Sequence, residues 1–282
     1  ELAIYEPASH EFIPYLDGMS AGFFDYSSDG QWVAYVTYPQ NVLWRSRVDG
    51  TERMQLTFPP MGPILLPKWS PDGKLIVFTE FYSGHQEQNK IEVVSANGGS
   101  PMLLVSGDFM PADPNWSPDG KSIVYGGASI AGGGGTEIRV LSLETKRSTT
   151  VPDSQHKFGP KLSPDGRYIA ASSEDTAQLF LYSFDSKTWK QLPGTGLGWP
   201  MWSRDGRYLY AIQGHDGQGG QIYRYRVPDE RKEVVADVTG IELACPAFGP
   251  RCTWFGLTPD ERVLVLRDRG TEEVYALDVE YR

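Results

Sequence analysis

One short phrase recurs along the chain and constrains its fold more than any other feature of the sequence. In its full form it reads Trp69-Ser70-Pro71-Asp72-Gly73. Two close copies and three looser ones follow or precede it, and successive copies lie 40 to 55 residues apart. Their aspartates are Asp29, Asp72, Asp119, Asp165, Asp205 and Asp260. Self-similarity at such a spacing is typical of proteins that repeat one structural unit.

The phrase predicts a tight turn between two antiparallel strands. Pro71 fixes φ near the value that the second residue of a type I turn needs. Asp72 bonds nearby backbone groups, and Gly73 tolerates a positive φ. An apolar run at 75–78 follows and favours a strand. We therefore interpret the six aspartates as structural turn residues and not as paired catalytic carboxylates.

Two more strands follow the turn in each unit, as at 91–94 and 102–105 of the second unit. Four strands in roughly 40–45 residues is the size of a propeller blade, and no segment shows sustained helical periodicity. We predict an all-β fold, a six-bladed β-propeller of four-stranded antiparallel blades in one domain, 1–282. The blades are expected at about 20–58, 64–106, 111–152, 157–193, 197–237 and 246–282.

The ends of the chain predict how the ring closes. The last unit has apolar runs at 254–257, 263–266 and 273–277 but lacks a fourth strand, which the N-terminal segment 11–16 is expected to supply. Residues 2–5 resemble another third strand, so residues 1–10 either pack outside the ring or are the tail of an earlier blade. The chain starts in mid-pattern, so we expect a fragment of a longer polypeptide. A seven-bladed ring is the alternative.

Composition limits the partners. The net charge of −10 counts against binding of nucleic acid. No apolar run of roughly 18 residues occurs, so we expect no membrane span in this chain. Cys245 and Cys252 either form a disulfide, as in an oxidising compartment, or remain reduced thiols. We expect no metal site, because no histidine lies near the two cysteines in sequence, and no cofactor.

The repeated phrase, followed by lysine and an apolar strand, resembles the WD40-like (PD40) repeat of TolB-type β-propellers. The stretches 30–39 with 43–47, and 255–260 with 275–278, further resemble the C-terminal propellers of acidobacterial membrane-bound winged-helix transcriptional regulators. The resemblance implies a periplasmic, extracytoplasmic module for sensing or protein binding within a larger bacterial signalling protein. Ser28, Arg204 and Glu261 depart from the phrase, which leaves the geometry of their turns open.

A binding site is predicted at one mouth of the central channel. In a propeller, the loops that enter the innermost strands and those between the second and third strands meet there. These loops combine charged, aromatic and histidine side chains, which suit a protein, a peptide or a small polar ligand. The predicted site residues are Tyr38, Lys68, His85, Asp113, His156, Lys161, Trp199 and His215.

The sequence holds no catalytic motif in the structural context that its chemistry needs. We therefore predict a non-enzymatic binding or sensor module without catalytic residues. The alternative is an enzyme, either a propeller lyase or hydrolase or a propeller that gates a peptidase domain. A channel-mouth histidine within hydrogen-bond reach of another histidine or of a carboxylate would favour the enzyme.

Overall fold

The chain forms a ring of six antiparallel sheets with four strands each. The computed structural model describes residues 1–82, 88–107, 109–129, 135–175, 178–215, 218–227, 229, 231–246, 249–250 and 253–270. Nearly all regular secondary structure is strand. Within these ranges, no helix combines the length and the apolar character needed to cross a membrane.

Five blades are built from consecutive strands, which keep the order of the chain within each sheet. Blade 1 contains Ala21–Tyr26, Trp32–Thr37, Leu43–Arg47 and Met54–Gln55. Blade 2 contains Ile64–Trp69, Leu75–Glu80, Lys90–Ser95 and Met102–Val105. Blade 3 contains Phe109–Trp116, Ser122–Ser129, Thr136–Ser142 and Ser148–Thr150. Blade 4 contains Lys157–Leu162, Tyr168–Ser173, Leu179–Ser183 and Thr188–Gln191. Blade 5 contains Leu197–Trp202, Tyr208–His215, Gln218–Arg226 and Arg231–Asp237.

The sixth blade joins the two ends of the chain. Its inner strands are Phe255–Leu257 and Val263–Leu266, and Leu2–Glu6 and Glu11–Pro14 complete the sheet in that order. The ring therefore has six blades, and the N-terminal segment closes the last one, as the sequence predicted.

The position of the first strand corrects the sequence analysis. Residues 1–10 were expected outside the ring or at the end of an earlier blade, whereas Leu2, Ala3 and Ile4 pair with Leu266, Val265 and Leu264 of the last blade. The strand is the third of the blade because it pairs with Val263–Leu266 on one side and with Glu11–Pro14 on the other. Its apolar side chains are buried, with Leu2 and Ala3 fully inaccessible. The segment 273–277, expected at this position, lies outside the described residues.

The repeated turns have one hydrogen-bond pattern. In the second turn, the Ser70 hydroxyl donates to Asp72 Oδ1 at 2.6 Å and accepts the Leu75 N–H at 2.9 Å. Asp72 Oδ1 also accepts the N–H of Lys74. The hydroxyl-to-carboxylate bond, 2.5–2.7 Å long, recurs at Ser27–Asp29, Ser117–Asp119, Ser163–Asp165, Ser203–Asp205 and Thr258–Asp260.

Two indole rings link neighbouring blades. Trp116 of blade 3 donates from Nε1 to the Lys68 carbonyl of blade 2 at 3.1 Å. Trp202 of blade 5 donates in the same way to the Lys161 carbonyl of blade 4 at 2.8 Å. Each bond fixes the backbone next to the axis of the ring, where both lysines lie.

A two-residue ribbon lies before the last blade, between Ala244–Cys245 and Gly249–Pro250. Cys245 is fully buried and disulfide-bonded. Cys252, the other cysteine of the sequence, lies outside the described residues. The disulfide is thus the alternative that the structure supports for Cys245.

Candidate functional site

A cavity of about 420 Å³ lies on the axis of the ring, where the innermost strands of all six blades meet. Its wall extends to the repeated turns, and we call this end of the channel the turn face. The turn-face residues that line the cavity are Ser28, Pro71, Pro118, Pro164, Arg204 and Pro259. Ligand pockets in proteins usually measure roughly 300–1,000 Å³. The cavity can therefore hold a small ligand or one end of a peptide.

A register shift in the innermost strands shapes this wall. In blades 1 to 5, the innermost strand pairs with the second strand. The register of this pairing shifts shortly before the turn that joins the two strands. The shifted segment contains a residue with φ between 48° and 61°. These residues are Phe23, Leu66, Asp113, Gly159 and Trp199. The residues two positions further on line the cavity, and they are Asp25, Lys68, Asn115, Lys161 and Met201. Such irregularities re-aim side chains, as bulges do near binding sites.

One side of the cavity is aromatic. The Phe23 ring centroid lies 6.0 Å from that of Trp199 and 6.0 Å from that of Trp254, with an edge-on arrangement to the latter. Phe24 lies 6.3 Å from Trp254. Blades 5, 6 and 1 are neighbours in the ring, so these rings form a continuous apolar wall.

The opposite side is polar, and most of its groups are paired. Lys68 Nζ contacts Asp25 Oδ1 at 2.7 Å, and Asp25 Oδ2 accepts the Trp69 N–H at 2.8 Å. Asn115 Nδ2 donates to the carbonyls of Asp113 and Pro160 at 2.9 and 2.7 Å. These bonds fix the Asp25 carboxylate and the Asn115 amide in place.

Lys161 is different, because its ammonium has no such partner. The residue is 8% exposed, and no described residue makes a hydrogen bond or a salt bridge with Nζ. Burial lowers the pKa of the Lys161 ammonium. The charge of Asp113 opposes this shift and that of Lys68 adds to it. The cavity therefore contains a buried cation without a direct counter-ion.

The charge of the lining differs in sign from that of the chain. Three cations, Lys68, Lys161 and Arg204, face two anions, Asp25 and Glu261. The lining thus carries a net charge of about +1, whereas the whole chain carries −10. Arg204 lies at the turn face and donates from its guanidinium to the Ser28 carbonyl of blade 1. A local positive field in an acidic protein favours an anionic ligand.

The predicted site residues divide between the two ends of the channel. Lys68, Lys161 and Trp199 line the cavity, and Asp113 lies in the shifted segment of blade 3. Tyr38 and His156 lie at the other end, on what we call the loop face, defined by Tyr38, His156 and Glu174. They do not line the cavity. His85 and the side chain of His215 lie outside the described part of the chain.

The loop face contains one histidine–carboxylate contact. His156 Nδ1 lies 3.0 Å from Glu174 Oε2, and Glu174 Oε1 accepts the Thr136 N–H. That backbone bond, followed by the histidine contact, lowers the pKa of Glu174. The His156 side chain is 72% exposed and does not line the cavity on the axis. The pair therefore connects surface loops of blades 3 and 4.

Some lining residues were missed by the sequence analysis. Phe23, Trp254 and Arg204 belong to the cavity but not to the predicted site. The signal for them was their fixed position relative to the phrase, since Phe23, Trp199 and Trp254 all stand four residues before its serine or threonine. Among the described residues, no group of three His, Cys, Asp or Glu side chains could hold a metal ion.

No protein-family model matches the chain, and no curated protein matches it in sequence. Solved structures match its fold. A protein of Agrobacterium tumefaciens described as a TolB has a TM-score of 0.72 at 18% identity, covering 94% of this chain and 96% of that one. A chain of a nidogen/laminin complex has a TM-score of 0.63 at 11% identity, covering 80% and 83%. An oligogalacturonate lyase in complex with manganese has a TM-score of 0.58 at 11% identity, covering 89% and 78%. The chain thus has the TolB-type propeller fold that the repeated phrase predicted.

Proposed function

We propose that this propeller is a non-enzymatic binding or sensor module, which takes a peptide segment or a small polar ligand into its cavity from the turn face. The cavity carries the proposal, because aromatic rings and the buried cation of Lys161 line the same space. Apolar walls with a few convergent polar groups are typical of ligand sites. The similar chain from a nidogen/laminin complex belongs to a protein assembly, which supports a protein or peptide as partner.

We also propose that the module acts outside the cytoplasm, on the periplasmic side, as part of a larger signalling or transcriptional-regulatory protein. The disulfide of Cys245 supports this location, because disulfides persist in oxidising compartments. The resemblance of the repeats to those of membrane-bound regulators supports the larger context. The net charge of −10 supports a partner other than nucleic acid.

An enzyme of the lyase or hydrolase type is the second candidate. The contact between His156 and Glu174 favours it, since a histidine held by a carboxylate can act as a general base. The similarity in fold to an oligogalacturonate lyase points the same way. This candidate places the functional residues on the loop face, whereas the binding module uses the cavity. The two proposals can therefore be separated by mutation.

Selection from a displayed peptide library on the whole chain tests the binding module. We expect selected peptides to bind the wild type and His156→Ala with equal affinity. Met201→Trp, which places an indole in the cavity, is expected to abolish binding while the melting temperature stays near that of the wild type. Loss of binding in His156→Ala and its retention in Met201→Trp would reject the cavity as the site.

A further inference from the structure

The two lysines of the cavity are in different electrostatic situations. Lys68 is neutralised by Asp25 at 2.7 Å. Lys161 is 8% exposed, and its Nζ has neither a hydrogen bond nor a salt bridge within the described part of the chain. Removing an ammonium from water without a counter-ion costs several kcal/mol. A fold that keeps such a group in the lining of a cavity is suited to an anion that enters from outside.

The charged groups around Lys161 do not supply that anion. Asp113 attracts the ammonium but makes no salt bridge with it, and Asp25 is already bound to Lys68 and to the Trp69 N–H. Lys68 repels it. With Arg204 at the turn face, the lining has a net charge of about +1. This charge matches a monoanion better than a dianionic phosphate.

The aromatic wall indicates which chemical group of the ligand lies beside its anionic group. Trp199 belongs to blade 5, the blade next to that of Lys161, and it lies 6.0 Å from Phe23 between ring centroids. Met201 and Trp254 line the same space. A ligand that places its charge on Lys161 therefore presents the group beside that charge to aromatic and thioether surface, which favours an apolar group.

We propose that the cavity recognises a carboxylate attached to an apolar or aromatic group, with Lys161 as the counter-ion of the carboxylate. This inference rests on the proposed function, since it uses the same cavity. Two sources provide this chemistry, namely the C-terminal residue of a polypeptide and a small aromatic carboxylic acid. The internal part of a peptide, whose charges lie on flexible side chains, fits the arrangement less well.

Calorimetric titration with paired probes tests the inference. The small probes are 3-phenylpropionate and the neutral 3-phenylpropanamide. The peptide probes are a tetrapeptide that ends in phenylalanine, with a free or an amidated C-terminus. We expect each carboxylate to bind the wild type more tightly than its amide by about 10- to 100-fold. The stronger of the two carboxylates identifies the source of the natural ligand.

Three variants test which residues cause the tighter binding of carboxylates than of amides. Lys161→Met is expected to remove the preference for carboxylate over amide. It should melt at or above the wild-type temperature, because methionine needs no counter-ion. Lys74→Met is the matched control, since Lys74 is a 79% exposed lysine that does not line the cavity, and it should bind as the wild type does. Met201→Trp should abolish binding of all probes.

The results separate this inference from the proposed function. If Lys161→Met keeps the carboxylate preference while Met201→Trp abolishes binding, the cavity is the site but Lys161 is not the anchor. If Met201→Trp binds as the wild type does, the cavity itself is rejected. Absence of Lys161-dependent binding for both carboxylates up to about 10 mM would also overturn the inference.

Discussion

At the scale of single residues, the repeated turns depend on a hydroxyl that bonds twice. The Ser203 side chain is fully buried; its hydroxyl donates to Asp205 and accepts the Tyr208 N–H. The Asp205 carboxylate accepts the Arg207 N–H in turn. This backbone bond, followed by the Ser203 hydroxyl, lowers the pKa of Asp205 to about 2. The aspartates are thus structural groups that need their charge.

This arrangement predicts a loss of stability in acid. A carboxyl whose pKa is lower in the folded state stabilises the fold above its unfolded pKa, and the contribution is lost as the pH falls through the folded pKa. For Asp205 the range is roughly pH 4 to 2. We expect Asp205→Asn, which keeps an oxygen acceptor, to reduce the fall in melting temperature over this range. Because the carboxylate is well exposed, the difference should be below about 1 kcal/mol.

Thermal melts from pH 5 to pH 2 measure this effect. Glu144→Gln is the control, since it removes one exposed carboxylate outside the repeated turns. An unchanged pH profile in Asp205→Asn would mean that the Asp205 charge does not contribute to the folded state.

At the scale of the elements, the departures from the phrase show what the sequence could predict. Glu261 replaces glycine, yet it adopts φ of 63°, and its N–H donates to the Thr258 carbonyl at 2.8 Å. Ser28 replaces proline and donates from its hydroxyl to the Pro71 carbonyl at 2.9 Å. The turn is therefore specified by the hydroxyl and the aspartate, which all copies keep, more than by proline or glycine.

The shifted innermost strands could not be predicted in the same way. Left-handed backbone usually belongs to glycine, but Phe23, Leu66 and Trp199 adopt it here. The residue types give no signal of this conformation, because bulky side chains rarely adopt it. The sequence accordingly placed Lys68, Lys161 and Trp199 near the axis, but it did not show that the cavity they line extends to the repeated turns.

The ribbon before the last blade gives a prediction at the same scale. A disulfide between Cys245 and Cys252 closes a loop of eight residues, and restricting a loop of this size in the unfolded chain is worth about 2 kcal/mol. We expect Cys245→Ala combined with Cys252→Ala to lower the free energy of unfolding by that amount, as measured by urea titration.

Reduction of the disulfide provides the control for this prediction. Dithiothreitol should lower the urea midpoint of the wild type and leave that of the double variant unchanged. A wild-type midpoint that does not respond to dithiothreitol, after full unfolding and refolding, would contradict a stabilising disulfide.

At the scale of the whole molecule, the ring is closed by strands from both ends of the chain. The repeats predicted six blades, but they assigned 273–277 as the third strand of the last blade, where the structure has Leu2–Glu6. Both segments have an apolar pattern that fits the position. Which segment becomes the third strand depends on pairing between the N-terminal and the C-terminal part of the chain, which are far apart in sequence. Leu2–Glu6 lies between Val263–Leu266 and Glu11–Pro14, so blade 6 needs strands that lie about 250 residues apart in sequence.

This closure predicts that the N-terminal strand controls the stability of the entire ring. Ile4 is 2% exposed in that strand, whereas Ile13 in the outermost strand of the same blade is 43% exposed. We expect Ile4→Ala to lower the free energy of unfolding by about 2–4 kcal/mol. The matched variant Ile13→Ala should stay within about 0.5 kcal/mol of the wild type. Urea unfolding followed by tryptophan fluorescence and far-UV circular dichroism measures both.

Because the blades bury their faces against one another around the ring, the two probes should report one coincident transition for Ile4→Ala. Separate transitions, with most blades still folded after the first, would show that the remaining blades are stable without closure.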